Sequence, residues 1–327
     1  MSTEWKRIAA LMADFAKAGN FHAVVAGSLN LDKTLILDRE PDDDGTARIL
    51  KREHGFGGHA GNAACALARI GGQVSVLGSI GDDAAGQQVI ENLQASGVKA
   101  DSVFIHAGAK TGEVIIPVGP QRHFMMMDRG ANDLELPPSR AKQLLAEGCD
   151  LLMVFDPPPP TARVLTELRK EAAWPLIWNP GGILVHDPSL TPLILGADIL
   201  ILNRSEFAAM FPADANGSLL PSECHTVIRT EGRNGCSVFC NGKATHVPSF
   251  IVSGVDETGA GDVFTAAFSF AFLMKQPVVQ AARFACAAAA LSTCAIGARG
   301  NLPGLDEVLS FIDACENAER ASAAVQN

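Results

Sequence analysis

The stretch Asp256-Glu257-Thr258-Gly259-Ala260-Gly261-Asp262-Val263-Phe264 runs from a polar loop into a helical pattern. Phe264, Ala267, Phe268, Ala271 and Phe272 follow at the spacing that lines one face of a helix. The glycines therefore stand at a helix N-terminus, where unpaired N–H groups and the macrodipole attract anions. Gly259 and Gly261 would let a phosphate approach the backbone with no Cβ in the way. Asp262 falls at the start of the helix, where a lone aspartate is most often a cap. A cap explains neither the Gly-Ala-Gly before it nor the second carboxylate at Asp256.

Working outward, apolar runs and helical patterns alternate along most of the chain. FHAVVAGSLN reads as a buried strand feeding a loop, and GFGGHAGNAACALARIGG as a glycine loop leading into an Ala-rich helix. QVSVLGSIG, AAGQQVIENLQASGV, DLLMVFD, TARVLTELRKEAA, PLIWNP, DILILN and HTVIRTEG continue the alternation, which predicts an α/β fold with a mostly parallel sheet. Residues 31–54 and 109–127, with the Asp-rich Asp42-Asp43-Asp44 inside the first, alternate polar and apolar without helices. They predict a small antiparallel sheet inserted into the main domain. Residues 4–18 predict a helix ahead of the fold that stops at Gly19-Asn20. Pro157 to Pro160 predict a stiff loop.

The composition sets bounds. The chain has 327 residues with 26 Lys+Arg against 36 Asp+Glu, a formal charge of −10, and 47% hydrophobic residues. That describes a globular chain of one large or two small domains, and weighs against nucleic-acid or membrane-surface partners. None of the windows reaches the roughly 18 uninterrupted apolar residues of a membrane span, and the first twenty residues lack the order of a secretory signal. Cys65, Cys149, Cys224, Cys236, Cys240, Cys286, Cys294 and Cys315 form no CxxC pair or zinc spacing, which predicts a reduced, cytosolic chain. A nicotinamide dehydrogenase would need G-x-G-x-x-G after the first strand, where this chain has AGSLNLD.

Gly259-Ala260-Gly261-Asp262 resembles the C-terminal signature of the ribokinase/PfkB family of carbohydrate and nucleoside kinases, and Gly57-Gly58-His59-Ala60-Gly61-Asn62 resembles its N-terminal signature. The resemblance runs from about residue 21 to 315, leaving 1–20 as an extension and 316–327 as a tail. It implies a three-layer α/β sandwich with a mostly parallel central sheet, and a lid formed by 31–54 and 109–127. It implies transfer of the γ-phosphoryl of ATP to a primary hydroxyl of a small sugar or, on the same fold, a nucleoside. A silent sugar-binding regulator is a third reading, disfavoured by the intact glycine loop and Asp262.

The resemblance also implies site residues. Asp262 would be the general base, with the backbone of Gly259, Ala260, Gly261 and Asp262 as the anion hole. Asn30, Asp32, Gly57, Gly58, Asn62 and Asp156 would line the acceptor pocket. Asn203 and Glu206, in Asn203-Arg204-Ser205-Glu206, would organise water around Mg²⁺. Thr230, Gly232, Gly235 and Cys286 would lie at the nucleotide, although Cys286 stands where relatives often carry Asn or His. Asp256, Thr258, Ala295, Gly297 and Asn301 would surround a monovalent cation such as K⁺, with Glu257 departing from the family's usual Thr. In relatives the lid often doubles as a dimer interface, so the resemblance implies a homodimer through the lid, with Phe124-Met125-Met126-Met127 on the substrate, on the partner lid or in ordinary sheet packing. Gly130-Ala131-Asn132 would return the chain to the core.

Overall fold

The computed structural model describes residues 3–18, 21–41, 45–122, 124–212 and 226–325. The helix stop expected at Gly19-Asn20, the run Asp42-Asp43-Asp44 and Cys224 lie outside the described residues.

In chain order the strands are β1 (His22–Ala26), β2 (Asn30–Leu37), β3 (Ile49–Gly57), β4 (Gln73–Leu77), β5 (Ser79–Gly81), β6 (Phe104–His106), β7 (Gly112–Val118), β8 (Met126–Asp128), β9 (Leu151–Val154), β10 (Leu176–Trp178), β11 (Ile199–Asn203), β12 (Thr226–Thr230), β13 (Cys236–Cys240) and β14 (Lys243–Val247). The helices are α1 (Thr3–Ala18), α2 (His59–Ile70), α3 (Ala84–Ala95), α4 (Pro138–Ala146), α5 (Pro159–Lys170), α6 (Gly181–Leu184), α7 (Thr191–Leu195), α8 (Arg204–Met210), α9 (Ala260–Leu273), α10 (Val278–Ser292) and α11 (Leu305–Val325).

The central sheet has the order β14-β13-β12-β11-β10-β9-β1-β4, parallel from β4 through β12 and antiparallel across β12-β13-β14. Both of its faces are covered. On β1, Ala23 and Val25 join one apolar cluster with residues of α2, α9 and α10, whereas Val24 and Ala26 join a second with residues of α4, α5 and α8. Burial on both faces is why this strand reads as an unbroken apolar run. The three-layer expectation therefore holds. The antiparallel edge is a hairpin turning on Asn241 (φ 52°) and Gly242 (φ 69°), an Asn-Gly signal that the strand–helix alternation does not use.

The inserted sheet has the order β3-β2-β7-β8. It is mixed and not antiparallel, because β2 pairs parallel with β7 along Asn30–Ile36. The chain makes two separate excursions in the same direction, with the intervening helices and strands of the main domain between them. The proline run is corrected too: Pro159 and Pro160 open α5, where the missing N–H would have had no partner and φ is already helical. Helix α1 is more than an appended segment. Ile8 and Met12 are buried, and Phe15 stacks on Phe21 at 5.2 Å and meets Phe270 edge-on at 6.3 Å. Helix α11 runs unbroken through the expected boundary at 315.

Strand order reverses between β9 and β1, since from β1 the chain goes to β4 on one side and later to β9 on the other. At such a switch point the loops at the carboxyl ends diverge and leave a crevice. Ser28, just after β1, and Asp156, just after β9, are joined there by a bond from the Ser28 N–H to Asp156 Oδ1 at 2.9 Å.

Candidate active site

Helix α9 begins at this edge. Gly259 is its N-cap in the left-handed conformation (φ 75°), and a Cβ there would collide with Ala298. Its glycine is thus required by backbone shape and packing. Gly261 is different: a Cβ built on it meets nothing within 4 Å, so this is the residue that leaves the approach to the helix end open. The Ala260 N–H donates to the Glu257 carbonyl and the Asp262 N–H to the Gly259 carbonyl. Among the described residues the N–H groups of Gly259 and Gly261 have no such bond. The expected anion hole is therefore narrower than four consecutive N–H groups.

Asp262 is only 4% exposed. The His59 ring donates from Nδ1 to Asp262 Oδ1 at 2.8 Å, and Asn62 donates from Nδ2 to Asp262 Oδ2 at 2.9 Å. Both partners come from the first turn of α2, whose entry at Gly58 (φ 83°) passes so close to the Ser28 carbonyl that a Cβ would not fit. The Asp262 charge, with smaller help from Asp156 and Glu206, holds the His59 ring protonated, up to about 10. The ring lies parallel to Phe155 at 6.3 Å.

Asp32 completes the corner. It lies on β2 directly over Gly57, where any Cβ would strike its carboxylate, so that glycine serves Asp32 first. Its Oδ1 is buried with no hydrogen-bond partner among the described residues. Burial pushes its carboxyl up to about 6, against the pull of Arg299 and His59, with the Asp262 charge adding to the rise. A buried acceptor without a donor is what a polyol hydroxyl would satisfy.

A cavity of about 930 Å³ lies on the other side of the α9 terminus. Of the residues expected at the nucleotide and anion hole, Asn203, Thr230, Gly232, Gly235, Cys286, Ala260 and Gly261 all line it. Glu206 sits just below, buried, in a capping box with Asn203: the Glu206 N–H donates to Asn203 Oδ1 at 2.9 Å, and the Asn203 N–H to Glu206 Oε2 at 2.8 Å. Burial raises the Glu206 carboxyl, and Asp262 adds to the rise.

Several expected ligand contacts are turned inward. Asn62 holds Asp262 with one end of its amide and Arg299 with the other, so it does not present that amide to a hydroxyl. Asn30 Oδ1 accepts from Asn132 Nδ2, and Asn132 Oδ1 accepts from the Leu29 N–H; this is how the returning segment rejoins the core. Asp156 accepts from Ser28 on Oδ1 and from Arg129 Nη1 on Oδ2 at 3.0 Å, which fastens the lid's return to β1 and β9. Cys286 faces Cys236, with the sulfurs 3.8 Å apart. Asp256 accepts from Thr258 on Oδ1 and from the Gly297 N–H on Oδ2, tying the 256–258 loop to 295–301, while Asn301 donates to the Leu291 carbonyl near the end of α10. His59, Arg129 and Arg299 carry these networks and were given no role by the sequence. His59 stands inside the N-terminal signature and Arg299 between Gly297 and Asn301, whereas no local signal marks Arg129.

Comparisons with known proteins cover the stretch of chain that holds this geometry. The family described as pfkB family carbohydrate kinase matches residues 21–304. The chain belongs to that family. It is 32% identical over 298 residues to the ribokinase of Bacillus subtilis (strain 168), covering 87% of this chain and 97% of that one. To the ATP-dependent ribose-1-phosphate kinase of Halopiger xanaduensis it is 29% identical over 288 residues, 88% and 96% of the two chains. The solved structure of Arabidopsis thaliana ribokinase complexed with ribose and ATP superposes with a TM-score of 0.80 at 25% identity, covering 89% of this chain and 98% of that one. The protein is thus a phosphotransferase with the ribokinase fold. Among its described residues no helix is long and apolar enough to cross a membrane.

Proposed function

We propose that this kinase transfers the γ-phosphoryl of ATP to a primary hydroxyl of a small sugar of the ribose class, with Asp262 as general base. One observation carries the reading. A buried carboxylate, fixed on both oxygens by His59 and Asn62, stands one residue from the open Gly261 on the wall of a cavity of about 930 Å³. Each carboxylate oxygen has two lone pairs, so one remains for the incoming hydroxyl proton. Asp32, with its unsatisfied Oδ1, would orient the acceptor, while the free N–H groups of Gly259 and Gly261 would face the charge developing on the transferred phosphoryl. Ribose as acceptor is supported by the named relatives in Bacillus and Arabidopsis.

Asn203 and Glu206 fit a water-mediated Mg²⁺ site: a buried carboxylate with a raised affinity for protons, using one oxygen for its cap, is a donor that a hard cation would suit. The ion would neutralise the β and γ oxygens when bound. The loop joined by Asp256, Thr258 and Gly297 is where K⁺ would act in this reading, through backbone carbonyls, since the Asp256 carboxylate closes the loop itself and Asn301 serves α10. The lid would pack against a second copy through Phe124–Met127, which are half exposed; sedimentation of a Met126→Glu variant checks this, with a monomer expected.

Coupling ADP release to a panel of pentoses, hexoses, ribose 1-phosphate and inosine tests the main reading. A pentose should give the highest kcat/KM. Preference for inosine would move the acceptor to the nucleosides, and no turnover with any acceptor would remove the proposal.

A further inference from the structure

Arg299 lies on the loop between α10 and α11, with no role of its own read from the sequence. Its guanidinium nevertheless reaches three elements. Nε donates to Asn62 Oδ1 at 2.9 Å on α2, Nη1 to Asn92 Oδ1 on α3, and Nη2 to the Gly57 carbonyl at 3.0 Å at the end of β3. It covers the Phe56 ring at 5.9 Å. Gly61 makes room for it, because a Cβ there would collide with Nη2. The two residues before it hold the anion loop: the Gly297 N–H donates to Asp256 Oδ2 at 2.8 Å, and Ala298 packs against Gly259.

The chemical consequence falls on Asn62. A side-chain amide has a donor end and an acceptor end, and it can be turned over. Turned one way, Nδ2 donates to Asp262. Turned the other, its carbonyl would face the carboxylate, acceptor against acceptor, with no proton between them. Arginine offers donors only, so Arg299 accepts the amide in just one of these orientations. We propose that Arg299 is a positioning residue for phosphoryl transfer: by fixing the Asn62 amide it holds the Asp262 carboxylate at the acceptor hydroxyl. This rests on the reading of Asp262 as the base.

The test is a double-mutant cycle on the full-length protein with Arg299→Met, Asn62→Ala and the pair. Misplacing the base should lower kcat about 10- to 100-fold in Arg299→Met, with the KM for ATP within about twofold of the parent. In the Asn62→Ala background the same arginine change should cost less than about twofold more, because the shared path is already broken. Arg299→Lys, which keeps a donor and the charge, should recover part of the loss. Thermal midpoints separate unfolding from mispositioning, and Arg299→Lys replaces Arg299→Met in the cycle if the methionine variant does not fold. Losses that multiply in the pair would overturn the proposal, as would a raised acceptor KM at undiminished kcat. Undiminished turnover in Asp262→Asn would instead overturn the base assignment beneath it, so the two failures are distinct.

Discussion

The two sides of the α9 N-terminus are built on different principles. On the cavity side the expected residues contribute backbone and shape: Gly232 (φ 58°) and Gly235 (φ 91°) at a turn, Gly261 with open space above it, and a thiol at Cys286. On the acceptor side they contribute side chains with charge: Asp262, His59, Asn62, Arg299 and Asp32, within one connected set of bonds and fields. The difference follows from what each side would hold. A triphosphate presents the same oxygens whatever the rest of its molecule, so a helix end and bare backbone can meet most of it, with the Asn203–Glu206 pair beside them. Neutral hydroxyls offer no such charge, and recognising and deprotonating one takes fixed acceptors.

The largest effect should come from cutting the acceptor side at its base. Asp262→Asn keeps the volume and the bond from Asn62 but removes the proton acceptor. Turnover should fall on the order of 10²- to 10⁴-fold while ATP binding, followed by calorimetry, stays close to the parent. If ATP affinity fell as steeply as turnover, the two sides would not be separable at this residue. Next comes Asp32→Ala. A hydrogen bond to a charged group corresponds to about 10- to 100-fold, and it should appear in the acceptor KM while the KM for ATP hardly moves. Equal changes in both constants would again merge the two sides.

The same carboxylate gives the comparison a pH signature. Asp32 is raised to about 6 by burial, so in the free enzyme it is protonated as pH falls through that value and ceases to be an acceptor from both oxygens. The groups facing it are Arg299, His59 and Asp262. The kcat/KM for the acceptor should therefore drop on the acid side near pH 6, and Asp32→Asn should flatten that limb at a lower plateau. For stability the sign is opposite to that of an ordinary ion-paired aspartate. Its native proton affinity exceeds the unfolded one, so its ionisation disfavours the fold above about pH 6, and the penalty fades toward pH 4.

His59 supplies a stability prediction of smaller size. Its folded value is raised to about 10, so the stabilisation from its pairing with Asp262 is fully present below the unfolded value near 6.5 and is lost as pH rises through 10. The side chain is 43% exposed, so solvent screens part of this. His59→Gln should lower the thermal midpoint at pH 6.5 and flatten its decline between pH 7 and 10. An unchanged slope would mean that the pair contributes nothing to folding.

What could be read in the chain divides along the same line. The cavity side is local: Gly259 to Asp262, Asn203 to Glu206 and Thr230 to Gly235 are each a few consecutive residues at the end of a strand or the start of a helix, the first legible from its glycines and the helical spacing after it, the other two through the family resemblance. The layers were legible for a similar reason, since β1 and β11 are buried on both faces and show it as apolar runs. The acceptor side joins Asn62 to Asp262 across 200 positions and Asn62 to Arg299 across 237. No periodicity carries information over such a distance, so the sequence alone leaves Asn62 facing a hydroxyl and gives Arg299 no partner. Asp156 is similar: its place after a strand is clear from the sequence, but Arg129, which engages it, comes from the returning lid. The parallel pairing of β2 with β7 was hidden because alternation reports exposure of a strand's two faces and says nothing of its direction.

The smallest effect should come from the lining of the cavity itself. Cys286 lines it, yet its sulfur faces Cys236 at 3.8 Å inside the core, and the contact with this neighbouring thiol, together with burial, pushes the Cys236 thiol upward, so that it stays neutral at physiological pH. A polar contact to an adenine from position 286 would need a side chain aimed away from that partner. Cys286→Ala removes one buried sulfur and should therefore leave the KM for ATP within about threefold, with only a modest loss of thermal stability from the small void. Cys286→Asn offers the amide that relatives often carry there. If the base is held by packing, as the thiol pair suggests, the asparagine variant should bind ATP no more tightly than the parent and should unfold at lower temperature, because its amide would be buried beside Cys236 without a partner. Tighter ATP binding in that variant would show instead that the adenine reaches position 286, and that the cavity side also reads its ligand through side chains.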